Sequence, residues 1–346
     1  MFSSRLLILF RCIVALVAAL VVWEVVLENT VVRRPGYLTH PKLGRIYKKG
    51  VYVHGTEGYS RTHINSLGMR ETWEPTEKKQ PGIQRILFLG DSYTEALQCQ
   101  DGKIFPDLVE KMIVRPAQSI NSGRSGGSPA FYIYLRNFYE QTVAPDKVIV
   151  QLNDGDFLED LFATDRNYYL VEEGSVFKAV YNPNFSSANP LMQKLGRFRG
   201  LLEFSTIAVG AESAQFLMRS RKTQKKPTEI VPTNTPEPEL LRRSIRWTVA
   251  ELNKYPNAII LYLPTVHYKT PDEEPGFVEK ELERACREEG LPFLSMRRAF
   301  VEHYKQTREV AHGFDNTQPG FGHINELGHR LTAVELAKLL NGARRQ

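Results

Sequence analysis

Arg85-Ile-Leu-Phe-Leu-Gly-Asp-Ser-Tyr-Thr94 (RILFLGDSYT) joins two kinds of structure within ten residues. Its first half is a short apolar run closed by Gly90, the pattern of a buried strand. From Thr94 the pattern turns helical. Ser92 is therefore expected at the carboxyl edge of a sheet, beside the N–H groups that open a helix. A serine is also a favoured helix cap, so this stretch alone leaves nucleophile and cap both open.

The same alternation continues on either side. Apolar runs at 118–121, 147–152, 258–263 and 291–294 read as further strands. Helical patterns at 105–113, 240–254 and 277–289 lie between them. A last helix at 325–340 puts Leu327, Leu331, Val334, Ala337 and Leu340 on one stripe. Strand alternating with helix predicts an α/β fold, a doubly wound parallel sheet in three α/β/α layers. Its expected strand order is the flavodoxin-like 2-1-3-4-5, with a switch point between strands one and three. The third and fourth strands are too far apart for one crossover, so an insertion is expected at about 157–240. Within it, 168–181 reads as a hairpin, 191–219 as helical and 222–238 as an exposed linker.

Before this domain, assigned to 81–346, come two other segments. Residues 31–80 are expected to be an irregular connector punctuated by glycines. Residues 6–27 (LLILFRCIVALVAALVVWEVVL) form a run of 22, about 33 Å as a helix, enough to cross a hydrocarbon core. No small-x-small cleavage site follows, which favours an uncleaved signal anchor over residues 1–30. The charges disagree about its orientation. Arg5 and Arg11 argue for an inside N-terminus; Arg33, Arg34, Lys42, Arg45, Lys48 and Lys49 argue for the reverse.

The chain has 346 residues, 42% apolar and 24% charged, which excludes global disorder. Three cysteines without a CxxC pair exclude a disulfide scaffold and a zinc ribbon. Cys99 and Cys286 are expected on opposite sheet faces, so no disulfide between them is predicted. The net charge of +6 is dispersed, with no basic run or nucleic-acid motif. It is compatible with work near anionic lipid or an anionic cell wall.

Three further pieces lie where the predicted topology brings loops together. Asn121-Ser122-Gly123-Arg124-Ser125-Gly126-Gly127 follows the second strand, and its glycines allow close backbone approach to a ligand. Asn153-Asp154 follows the third, where an amide can donate to an oxyanion. Gly322-His323-Ile324-Asn325-Glu326-Leu327-Gly328-His329 precedes the last helix. Singly these are a turn, an Asx-type turn and a surface loop; in order, they flank one crevice.

Together with GDS they resemble the GDSL-type, or SGNH, hydrolase family over roughly residues 85–340. Ser92, Gly126, Asn153 and His323 stand at the family's four block positions. Asn65-Ser66-Leu67-Gly68-Met69-Arg70 resembles a segment that precedes GDS in bacterial members. The resemblance implies a serine esterase working through an acyl-enzyme, with Ser92 as nucleophile and His323 as base. Ser92, Gly126 and Asn153 would form the oxyanion hole. It implies no metal or organic cofactor, and the histidines show no HExxH spacing. The substrate would be an acyl ester of a small molecule, an envelope glycan or a lipid, and the domain would lie outside the cytoplasmic membrane. Transfer to a sugar hydroxyl would use the same site, and a non-catalytic glycan-binding module is the competing class.

The chain departs from the family in two places. Gln151 stands where glycine is usual, and Gly320 and Phe321 occupy the places of the usual triad aspartate. Asp315, eight residues before His323, is the nearest candidate acid; the alternative is a serine–histidine pair without a carboxylate, its ring oriented by a backbone carbonyl.

Overall fold

The computed structural model describes residues 4–30, 36–55, 57–74, 78–161, 167–174, 176–182, 237–268 and 274–342. Helix α1 (Ser4–Thr30) comes first. Two antiparallel pairs follow: β1 (Tyr37–His40) with β2 (Gly44–Tyr47), and β3 (Gly50–His54) with β4 (Ser60–Ile64). The α/β part runs β5 (Gln84–Leu89), α2 (Ser92–Glu95), α3 (Phe105–Met112), β6 (Ala117–Asn121), α4 (Pro129–Tyr134), α5 (Arg136–Val143) and β7 (Lys147–Leu152). A π-helical turn at Asp156–Asp160 leads to the hairpin β8 (Tyr168–Glu173) and β9 (Val176–Tyr181). Then come α6 (Pro238–Leu252), β10 (Ala258–Tyr262), α7 (Phe277–Glu288), β11 (Phe293–Ser295), α8 (Arg297–Thr307) and α9 (Glu326–Gly342).

The central sheet is parallel and ordered β11-β10-β7-β5-β6, which is the expected 2-1-3-4-5. Side chains alternate across it, as a period of two demands. Leu87 and Leu89 of β5, Val148, Val150 and Leu152 of β7, and Ile260 and Tyr262 of β10 face α4, α5, α6 and α7. Ile86, Phe88, Ile149, Ile259 and Leu261 face α3, α8 and α9. Both faces are dry, so the strands read as continuous apolar runs. The switch point between β5 and β7 opens at their carboxyl ends, where Gly90 and Asn153 lie.

Residues 31–80 depart from the expected irregular connector. Their described part holds four strands of four or five residues, too short for alternation to stand out in the sequence. The predicted hairpin is β8–β9. The expected helical stretch at 191–219 lies outside the described residues, as does nearly all of the linker at 222–238. All three cysteines are free, and Cys99 and Cys286 sit in separate core clusters.

Helix α1 is long and apolar enough to cross a membrane, with a mean hydropathy of 2.8 over its most apolar window. Its large apolar side chains from Leu6 to Val26 are 43% (Val26) to 64% (Phe10) exposed. Length and composition of this kind suit a span or a signal sequence alike.

Candidate active site

The turn carrying Ser92 is built on Asp91. Its Oδ1 accepts the Tyr93 N–H at 2.9 Å and caps the four-residue α2, which Ala96 ends in a left-handed conformation (φ 51°). Gly90 is required: a Cβ there would lie 2.0 Å from Thr94 Oγ1 and 2.5 Å from Gln151 Oε1. Gln151 thus has a definite place in this chain. From the α3-facing side of β7 its Oε1 accepts the Asp91 N–H (3.2 Å) and the Thr94 hydroxyl (3.0 Å).

Ser92 Oγ lies 2.8 Å from His323 Nε2. The other ring nitrogen, Nδ1, lies 2.6 Å from Glu57 Oε2, and Glu57 Oε1 accepts the His323 backbone N–H at 3.1 Å. A carboxylate only accepts, so Nδ1 carries the proton of the neutral ring and Nε2 is free to accept the Ser92 O–H. Tyr93 packs its ring 5.1 Å from the imidazole and donates its hydroxyl to the Gly322 carbonyl (3.2 Å).

Glu57 is the acid at the ring, and Asp315 is not. Asp315 is exposed on its loop, and the Nδ1 place assigned to it from the sequence is filled from the turn between β3 and β4. The neighbour of Asp315 holds that turn: Asn316 Oδ1 accepts the Gly58 N–H (2.8 Å), and its amide donates to the carbonyls of Gly55 (3.2 Å) and Gly58 (3.0 Å). Gly58 has φ +67°, and a Cβ there would meet the Gln98 carbonyl at 2.5 Å.

Burial pushes the Glu57 carboxyl up, but the hydrogen bonds and charge of His323 outweigh it and hold the group below its ordinary value. Burial likewise pulls the His323 ring down, and Glu57, with Asp91 and Glu95 behind it, raises it above the ordinary histidine value. The two opposite shifts describe one ion pair. Burial raises the Asp91 carboxyl, against the Tyr93 N–H and the Asn153 amide, which favour its charge.

Asn153 Nδ2 donates to Asp91 Oδ2 at 2.7 Å, and Asn153 Oδ1 accepts from the N–H groups of Gly155 (2.8 Å) and Asp156 (3.3 Å). These partners fix which end of the amide is the donor. One amide hydrogen is used, and the second has no protein acceptor among the described residues. Asp154 points elsewhere, accepting the Tyr262 hydroxyl at 2.6 Å. Gly126, with φ 73°, lies on the exposed part of the 122–127 loop. Glu95 ties that loop to α2: its buried Oε2 accepts the Ser125 N–H at 3.1 Å and the Ser125 hydroxyl. Among the described residues, neither the Ser92 nor the Gly126 N–H is taken by a protein acceptor.

The Asn65–Arg70 motif explains itself locally. Asn65 Oδ1 accepts from Leu67 and Met69, and Arg70, 3% exposed, donates to the carbonyls of Glu95, Ala96 and Cys99. It clamps the loop that follows Ser92 and α2.

No family model matches this chain, and no curated protein does. Solved structures that resemble it include a two-domain esterase active on acetylated mannans, crystallised with mannopentaose. That match has 16% identity and a TM-score of 0.38, and covers 76% of this chain and 50% of the other. This chain thus spans about half the length of that esterase. A member of the lipolytic G-D-S-L family from Veillonella parvula matches with 11% identity, a TM-score of 0.40 and coverages of 75% and 99%. A catalytic mutant of an acetylxylan esterase from Geobacillus stearothermophilus matches with 14% identity, a TM-score of 0.37 and coverages of 76% and 96%.

Proposed function

We propose that the chain is a serine esterase of the GDSL/SGNH type whose triad is Ser92, His323 and Glu57. The observation that carries this reading is the unbroken line from Ser92 Oγ through both ring nitrogens of His323 to a buried carboxylate. A serine, an imidazole and an acid in that geometry make an activated nucleophile.

As Ser92 Oγ attacks an ester carbonyl, its proton moves to His323 Nε2. Glu57 steadies the imidazolium that forms. The oxyanion takes the N–H groups of Ser92 and Gly126 and the second amide hydrogen of Asn153. Collapse of the tetrahedral intermediate expels the alcohol, which takes the proton from His323 and leaves an acyl-enzyme. Water, deprotonated by the same ring, then releases the acid. A sugar hydroxyl in place of water would make the same site an acyltransferase. A glycan-binding module without catalysis would have no need of the acid that Glu57 offers to the ring, which supports the esterase reading.

Helix α1 anchors the enzyme in a membrane, and the family resemblance supports a domain on the outer side, where acylated glycans and lipids are exposed. Carbonate extraction should leave the protein in the membrane, and external protease should digest the domain in spheroplasts of an expressing bacterium. A protected domain would restore the orientation that the positive charges favour.

For the chemistry, the full chain in detergent should be labelled by a fluorophosphonate and should hydrolyse p-nitrophenyl acetate. Ser92→Ala should lose both while keeping its thermal transition. Turnover by Ser92→Ala at the wild-type rate sinks the assignment.

A further inference from the structure

Against the Gly126 loop lies a cavity of about 270 Å³ to which the chemistry above gives no role. The loop carrying Gly126 forms one wall and β2 with the Leu67–Met69 turn another; Glu95, three residues after Ser92, also lines it. Pockets for drug-sized ligands run to about 300–1,000 Å³, so this one has room for a single sugar ring.

Its lining combines aromatic rings with positive charge. Tyr37 and Tyr47, stacked on one another at 5.0 Å, and the nearly buried Phe131 and Tyr168 (3% and 4% exposed) make a mixed apolar and hydroxyl-bearing wall of the kind that meets a sugar ring. Arg45 and Arg124 supply guanidinium groups. Arg45 lies 3.9 Å over the Tyr37 ring. Arg124 Nη1 donates to the Leu43 carbonyl at 2.6 Å, and its Cζ lies 5.4 Å from the Phe131 ring. No carboxylate is within ion-pair distance of Arg124 among the described residues. A guanidinium has five N–H donors, so most of this half-buried fork is unused. The one acid in the lining, Glu95, is already bound by Ser125. A planar fork held on an aromatic face is the group that recognises a carboxylate through two hydrogen bonds.

We propose that this cavity binds a carboxylate-bearing sugar residue, so that the substrate is an acyl ester on an acidic glycan. The ester in this statement rests on the esterase reading; the acid-binding cavity does not.

Two probes decide it: a mono-O-acetylated methyl glucuronoside and the equivalent glucoside, with the full chain in detergent. The glucuronoside should have the higher kcat/KM by about ten- to a hundred-fold, the worth of charge-assisted hydrogen bonds. Arg124→Gln and Arg45→Gln should each bring that ratio towards one. A ratio taken within one variant does not depend on how much of it is folded. Calorimetry on the full-length Ser92→Ala chain should give the same preference in binding. Equal binding and equal turnover of the two sugars overturn the proposal. Preferred binding of the glucuronoside without acetate release by wild type would leave the cavity assigned and remove the esterase. Hydrolysis of p-nitrophenyl acetate without an acid preference would do the opposite.

Discussion

Glu57 grips His323 twice, at the ring Nδ1 (2.6 Å) and at the backbone N–H (3.1 Å), across 266 positions of sequence. The ring therefore cannot rotate away from Ser92 without breaking a charge-assisted bond, and the loop cannot slide without breaking the other. Gly322 makes this approach feasible: with φ +93°, it has no Cβ to collide with Glu57 Oε1 at 2.5 Å.

Glu57→Gln should retain the fold and lower kcat by about 10³–10⁴, the scale seen when a triad acid is replaced by its amide. Asp315→Asn should leave kcat within a factor of two. Combining Glu57→Gln with His323→Ala should cost little more than His323→Ala alone, because the residues act as a unit. Steady-state kinetics on p-nitrophenyl acetate checks all three, and a large loss in Asp315→Asn would return the acid to the C-terminal loop.

The rate should fall on the acid side. The reaction needs a neutral imidazole, and Glu57 raises the His323 pKa above its ordinary 6.5. The kcat/KM midpoint of wild type should therefore lie above 6.5, and Glu57→Gln, which removes the neighbouring charge, should move it down. A midpoint that stays put would mean that the carboxylate does not act on the ring.

Asn153→Ala should lower kcat by about 10²–10³ with a smaller change in KM, as for other side-chain oxyanion donors. A change in KM alone would make Asn153 a substrate-binding group.

Arg70→Met should destabilise the fold by about 3 kcal/mol or more, because the buried carbonyls of Glu95 and Cys99 lose their side-chain donor, that of Ala96 keeps only the Cys99 N–H, and Asp101 loses its buried ion-pair partner. Lys49→Ala removes an ion pair to Glu74 from a side chain that is 67% exposed and should stay within about 0.5 kcal/mol. Urea unfolding of the two variants side by side is the measurement.

Much of the sheet was legible because its strands are buried on both faces and so appear as apolar runs. Ser92, Asn153 and His323 were legible because each follows such a run or precedes a helix at a characteristic spacing. Glu57 was not. It lies on a turn between two strands too short to show alternation, and only Gly55 and Gly58 beside it mark a tight approach. Asp315 drew attention by nearness in sequence, whereas its neighbour Asn316 does the work of holding the Glu57 turn. Helices α4 and α5 were missed as well. They begin at Pro129, directly after a Gly-Gly-Ser run that reads as loop, and end where Ala144 turns left-handed at φ 49°.

The distance between Glu57 and His323 along the chain also sets when the enzyme becomes active during synthesis. Bringing together the ends of a flexible segment of 266 residues costs on the order of 5 kcal/mol, more than one hydrogen-bonded contact contributes. That contact cannot draw the ends together; the sheet has to close first. Catalytic turnover should therefore be the last property to return on refolding, after native fluorescence and circular dichroism. A nascent chain released by the ribosome before residue 323 would be inert, with Ser92 and Glu57 already made.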